Sequence, residues 1–171
     1  MSAIDIKGAE IVRGEVRSEW IDLNGHMNVA SYVTAFEVAV YALWARFGMT
    51  QEYQRDTGNT TFAVETHTTY KRELGAGDAY VISALVLAYD DKRVHNFLRM
   101  YDAQQGFLSA TIEWLGLHVS IEQRRAVPWS DAVRECIRQF AGSQPESAAP
   151  SEAGRQIRLR KPVFSVFGEE L

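Results

Sequence analysis

Residues 20–32 read WIDLNGHMNVASY, and this stretch decides where the chain passes from strand to helix. Asp22, Asn24, Gly25, His26 and Asn28 crowd between the aromatic Trp20 and an apolar run. A simple connection needs only one or two turn formers. Gly25 adopts a left-handed conformation without steric penalty and Asn24 tolerates one, so the pair predicts a chain reversal. Asn28 is placed as a helix N-cap. Asp22 and His26 then remain without a structural task, and ask for a chemical one.

Downstream, Val29, Tyr32, Val33, Phe36, Val40, Leu43, Trp44 and Phe47 recur at steps of three and four, which predicts a helix of roughly five turns ended by Gly48. Ala30, Ala35, Ala39, Ala42 and Ala45 fill the positions between them, so the helix is apolar around much of its circumference and must be wrapped. Strands supply the wrapping. Residues 9–17 read as a first strand, and 60–72, 79–89, 93–104 and 107–121 are rich in β-branched and aromatic residues. Turn signals separate them at Gly75-Ala76-Gly77-Asp78, Asp90-Asp91-Lys92 and Gln105-Gly106, so the last four strands are expected to form a meander. Residues 130–141 predict a short second helix capped by Ser130 or Asp131. The fold class is α+β, an antiparallel sheet of about five strands curled around one long helix. Residues 1–141 are expected to form the domain and 142–155 a flexible linker. Residues 156–171, with Val163, Phe164, Val166 and Phe167, form a tail expected to dock on the domain or on a neighbouring subunit.

The chain has 171 residues, 46% of them hydrophobic, enough for one domain with a substantial core. Its net charge of -4 argues against nucleic acid as a partner. No apolar run reaches the ~18 residues of a membrane span and no signal-like N-terminus is visible, so a cytoplasmic protein without membrane contact is expected. Cys136 is the single cysteine, which excludes an internal disulfide and a multi-cysteine metal site. The sequence lacks G-x-S-x-G, G-x-G-x-x-G and a P-loop, and neither cofactor nor metal is expected.

The helix start completes the argument for chemistry. Its first amides lack helical partners and carry partial positive charge, which stabilises a developing oxyanion. A carboxylate at Asp22 beside that spot makes equipment for acyl transfer. The run D-x-N-G-H-M-N-x-x-x-Y, here Asp22, Asn24, Gly25, His26, Met27, Asn28 and Tyr32, resembles acyl-CoA thioesterases of the hotdog fold, the 4-hydroxybenzoyl-CoA thioesterase-like group. The order of elements over residues 9–141 agrees, as does the stretch from Tyr70 to Gly77-Asp78. The resemblance implies that Asp22 attacks the thioester or activates water, while the backbone amide near Val29 polarises the carbonyl. It also implies a homodimer or homotetramer with sites at the subunit interface. A further likeness, through FAVETHTTYKREL and AGRQIRLRK, is to thioesterases linked with carnitine dehydrogenase, which implies betainyl-CoA or a similar short acyl-CoA as substrate.

Other candidates carry two readings each. His26 either orients Asp22 or the thioester, or bonds the loop to itself. Asn28 caps the helix, with substrate contact as its second role, and Asn24 and Tyr32 join it as substrate-binding candidates. Glu65 and His67 share a strand face opposite Phe62, Val64 and Tyr70, and are either a cleft wall or an exposed polar pair. Lys92 and Arg93 sit at a hairpin end, where they meet a coenzyme A phosphate or only solvent. Glu37 is read as a solvated helix residue, and His95 and His118 as packed or paired. Two rivals to the thioesterase remain. One is a hotdog hydratase or dehydratase using His26 and Glu37, and the other is a catalytically silent acyl-CoA-binding module.

Overall fold

A computed structural model describes residues 4–145 and 149–157. Strand β1 (Ala9–Glu15) leads through a 3-10 turn at Ser18–Trp20 into the polar loop and then helix α1 (Val29–Arg46). A second helix, α2 (Gln51–Thr57), precedes the long strands β2 (Asn59–Tyr70), β3 (Ala79–Tyr89), β4 (Arg93–Asp102) and β5 (Leu108–Ser120). The two-residue β6 (Arg125–Ala126) and helix α3 (Asp131–Gly142) follow. The antiparallel sheet has the order β1-β3-β4-β5-β2 and curls around α1, the hotdog arrangement expected from the sequence.

One expectation about the sheet fails. β3, β4 and β5 form a meander, but β2 pairs with β5 at the far edge and not with β3. The connection after Tyr70 is a strap across the helix start, not a turn. Leu74 is fully buried in it, its carbonyl accepting from the Met27 N–H at 2.8 Å and its N–H donating to the Tyr32 hydroxyl at 3.1 Å. Those bonds carry the chain from one side of the sheet to the other.

The core lies between α1 and the concave face, where Ile82, Ala84, Leu98, Met100, Ala110 and Ile112 meet Phe36, Ala39 and Leu43. Helix and sheet approach closely at Gly116, where a Cβ would stand 2.6 Å from the Trp44 ring. Here β2 carries a bulge between Ala63 and Glu65. The bulge reverses the facing of the strand's first half: Phe62 pairs with Leu117 on the convex side, the side of Glu65 and His67, not opposite them as strict alternation predicts.

α3 packs against the core with Val133 and Ile137 buried, and the Ser130 hydroxyl accepts from the Val133 N–H as the predicted cap. In front of it His118 is fully buried, stacked on Trp129 at 4.6 Å between ring centroids. Its Nδ1 faces the Val127 and Pro128 carbonyls at 3.0 and 3.1 Å, and its Nε2 lies 3.0 Å from the Tyr53 hydroxyl. These partners fit a neutral ring that donates from Nδ1 and accepts at Nε2. Burial pushes this imidazole below its ordinary value of 6.5, more strongly than the two carbonyls raise it. The folded protein therefore takes up that proton less readily than the unfolded chain, and stability is lost as pH falls through about 6.5. Thermal unfolding is expected at lower temperature near pH 5 than near pH 7.5, with a smaller pH dependence in His118→Gln. Equal dependence in the two proteins would remove His118 as the cause.

The chain after α3 returns to the sheet. The Gln144 amide bonds the Val86 backbone in both directions, Glu152 pairs with Arg99 at 3.8 Å, and the Gly154 N–H donates to Glu113 at 2.8 Å. The expected docking of Val163, Phe164, Val166 and Phe167 lies outside the described residues.

Candidate active site

The loop at 20–28 is a small hairpin set against the start of α1. Ile21 and Met27 form an antiparallel bridge, the Asp22 N–H donates to the His26 carbonyl at 3.0 Å, and the Gly25 N–H donates to the Asp22 carbonyl at 3.0 Å. Gly25 has the positive φ expected of it, +83°. Asn28 ties the hairpin to the helix. Its N–H and its side-chain amide both donate to the Trp20 carbonyl, at 2.9 and 3.2 Å, while its Oδ1 accepts from the Ala30 and Ser31 amides at 2.9 and 3.1 Å.

That cap decides which amide remains for chemistry. Asn28 occupies the second and third N–H groups of the helix, and the Val29 N–H donates to no described residue. An unoccupied N–H at the positive end of an 18-residue helix is a donor for an oxyanion. The Val29 carbonyl is held by the Tyr70 hydroxyl at 3.2 Å, which fixes the peptide on its other side.

Asp22 and His26 do have structural tasks, contrary to the sequence reading. The Asp22 carboxylate accepts from the Asn24 N–H at 2.7 Å and the Asn24 side chain at 3.3 Å, an Asx turn that shapes the hairpin. The His26 carbonyl closes the hairpin, and its Nδ1 lies 3.4 Å from the Met27 carbonyl. Tyr32 is buried, and its hydroxyl serves the strap at Leu74.

The structure does not bring the other candidates to this hairpin. Glu65 lies on the convex face, across the sheet from α1, in a cleft of about 240 Å³ with His67, His95 and Glu113. There His95 pairs with Glu113 at 3.0 Å. Lys92 and Arg93 sit at the β3–β4 turn, the far end of β3 from the loop, roughly 35 Å along the strand. Arg93 is already paired with Asp90 at 2.6 Å. Glu37 accepts from Tyr41 at 3.4 Å and stands roughly 12 Å along the helix from its start, so it makes no pair with His26. The residues overlooked near the site are Tyr70 and the exposed cations Lys71 and Arg72 that follow it. Their signal was position: they end the strand that returns to the helix start.

Among the described residues no group of three or more His, Cys, Asp or Glu is placed to hold a metal ion, and no helix is long and apolar enough to cross a membrane.

Comparison with known proteins gives the fold a lineage. The chain is 30% identical over 144 residues to a betainyl-CoA thioesterase of Pseudomonas aeruginosa, covering 84% of this chain and 91% of that one. It is 31% identical over 160 residues to an L-carnitine dehydrogenase/betainyl-CoA thioesterase of Rhizobium meliloti, of whose length it spans 32%. Among solved structures, a hypothetical protein from Staphylococcus aureus in complex with CoA superposes with a TM-score of 0.84 at 28% identity, covering 91% of this chain and 98% of that one. Residues 16–137 match the model of the thioesterase-like superfamily, and the chain belongs to that family.

Proposed function

We propose that this chain is an acyl-CoA thioesterase that cleaves a small acyl-CoA, betainyl-CoA foremost, to the free acid and coenzyme A. The observation that carries the reading is the unoccupied Val29 N–H beside the Asp22 hairpin. The thioester carbonyl oxygen accepts from that N–H, so the charge that develops on it meets a donor already in place. Asp22 either takes a proton from the attacking water, or attacks the carbonyl carbon to give an acyl-aspartyl anhydride that water then hydrolyses; in both cases the carbon–sulfur bond breaks and the coenzyme A thiolate leaves. Lys71, exposed next to Tyr70, suits the phosphates of the coenzyme better than Lys92 and Arg93 do, whereas Arg72 lies over the Phe107 ring at 3.8 Å. The names of the two relatives support the substrate, and the solved complex supports the coenzyme.

The working unit in this reading is a homodimer joined through β2. That strand is paired to β5 along one edge only, and Val64 and Tyr70 on it, 50% and 47% exposed, are left uncovered, as are Val38 and Tyr41 on α1. A long, unprotected edge flanked by apolar side chains invites pairing with another strand. The opposite edge, β1, is blunted by Glu10, Arg13 and Glu15. A two-fold axis through β2 pairs the strand with its own copy and buries the same patch on both protomers.

Release of free thiol from betainyl, short straight-chain, aromatic and long-chain acyl-CoA tests the function. Selective release from betainyl-CoA is the expected result. An enoyl-CoA absorbance change without thiol would identify a hydratase, and thermal stabilisation by acyl-CoA without turnover a silent binding module.

A further inference from the structure

A cleft of about 540 Å³ opens between the second half of α1, helix α2 and the start of β2, and the chemistry above does not use it. Tyr41 and Tyr53 line it together with Met49 and Thr61, and the buried Trp44 lies behind them. Glu52 is the one charged residue in its lining, which holds no lysine, arginine or histidine. A second carboxylate, Glu37, stands behind the Tyr41 hydroxyl at 3.4 Å. The Thr50 hydroxyl holds the Glu52 carboxyl below the usual carboxylate range, so it is ionised at neutral pH.

The walls are built, not incidental. Trp44 sets the edge of its ring against Gly116, the only residue type that leaves it room, and Tyr53 is anchored through its hydroxyl to the buried His118. Two tyrosine rings with a carboxylate and no cation in the lining form an environment that attracts a quaternary ammonium, while an anionic group would be repelled.

Within one protomer the cleft and the Val29 N–H lie at opposite ends of α1, roughly 20 Å apart, too far for one small acyl group. Symmetric pairing of β2 about its middle changes this. It sets Asn59–Thr61, at the cleft, opposite Thr68–Tyr70 of the other copy, and Tyr70 is the residue bonded to the helix start. Each cleft then adjoins the Asp22 hairpin of the opposite protomer.

We infer that this cleft receives the quaternary-ammonium head of a cationic acyl group whose thioester is cleaved at the helix start of the other subunit. The inference rests on the thioesterase reading and names the part of the dimer that selects the substrate.

The test compares kcat/KM for betainyl-CoA and for tert-butylacetyl-CoA, its uncharged isostere, in the wild type, Tyr41→Leu and Glu52→Gln. Both side chains are exposed, so the variants should fold. The wild type should favour the cation, and the ratio should fall about tenfold in each variant. An unchanged ratio in both would overturn the cleft assignment while leaving the thioesterase standing. A wild type that releases thiol from other acyl-CoAs without preferring the cation would overturn the cationic substrate itself. Absence of thiol release from every acyl-CoA would remove both readings. For the placement across subunits, Asp22→Asn protomers are mixed and exchanged with Tyr41→Leu/Glu52→Gln protomers. Sites built from two chains should recover about a quarter of wild-type betainyl-CoA turnover, because half the dimers then carry one intact site. No recovery would place cleft and hairpin in the same subunit and overturn the assignment.

Discussion

Asp22→Asn should lower kcat by at least about 10²-fold while leaving the fold and its melting temperature nearly unchanged. The substitution isolates charge from shape. The Asx turn depends on an oxygen that accepts from the Asn24 N–H at 2.7 Å, and an asparagine side chain keeps that oxygen. Only the weaker contact to the Asn24 side chain, at 3.3 Å, is forfeited. What disappears is the negative charge to which the proposed mechanism assigns attack on the carbonyl or acceptance of a proton. Asp22→Ala would confuse the two effects, because the hairpin loses its turn along with the carboxylate. KM should change little, since the Val29 N–H and the coenzyme contacts remain. Near-normal turnover in a folded Asp22→Asn protein would refute the role of Asp22 and confine it to the turn.

The helix and its cap were legible because each rests on local chemistry. The spacing of Val29, Tyr32, Phe36, Leu43 and Trp44 needs no partner to be read, and Asn28 caps α1 as predicted. Gly25 likewise takes its left-handed turn. The path of β2 was not legible, because the length of the connection after Tyr70 was mistaken for a turn when Leu74 makes it a buried strap. The bulge at Ala63 and Glu65 is set by how β2 meets β5 near Gly116 and Trp44, contacts distant in sequence. Helix α2 has only seven residues and no apolar periodicity. Its signs were at its ends, in the Thr50 cap and the left-handed Gly58.

The site shows the same division. Counting turn formers assigned the reversal to Asn24 and Gly25 and left Asp22 free, yet Asp22 shapes the turn as well as being the proposed catalytic carboxylate. A single carboxylate with two jobs defeats reasoning by elimination. Glu65, Lys92 and Arg93 were chosen for their chemistry without knowledge of strand order, and the sheet carries them to its convex face and its far end. The cleft walled by Tyr41, Trp44 and Tyr53 joins α1 to a helix that the sequence did not disclose, so its aromatic residues could not be grouped beforehand.

Val64→Asp should convert the proposed dimer to monomer and abolish most thioesterase activity. Val64 sits near the middle of β2 and is half exposed, so its loss removes little packing within one chain. Across a two-fold axis through the strand, the two copies bring their carboxylates close together in a surface being removed from water. Like charges so placed oppose pairing, and each also suffers desolvation. Activity should fall with the dimer because the helix start of one subunit then loses the β2 end and cleft of the other. The measurement is mass in solution together with thiol release, with circular dichroism to confirm that the monomer is folded. Val64→Asn, which carries no charge, should keep more of the dimer than Val64→Asp at low salt. A folded Val64→Asp protein that remains dimeric would move the interface away from β2. A folded monomer with full turnover would show that one chain holds the complete site.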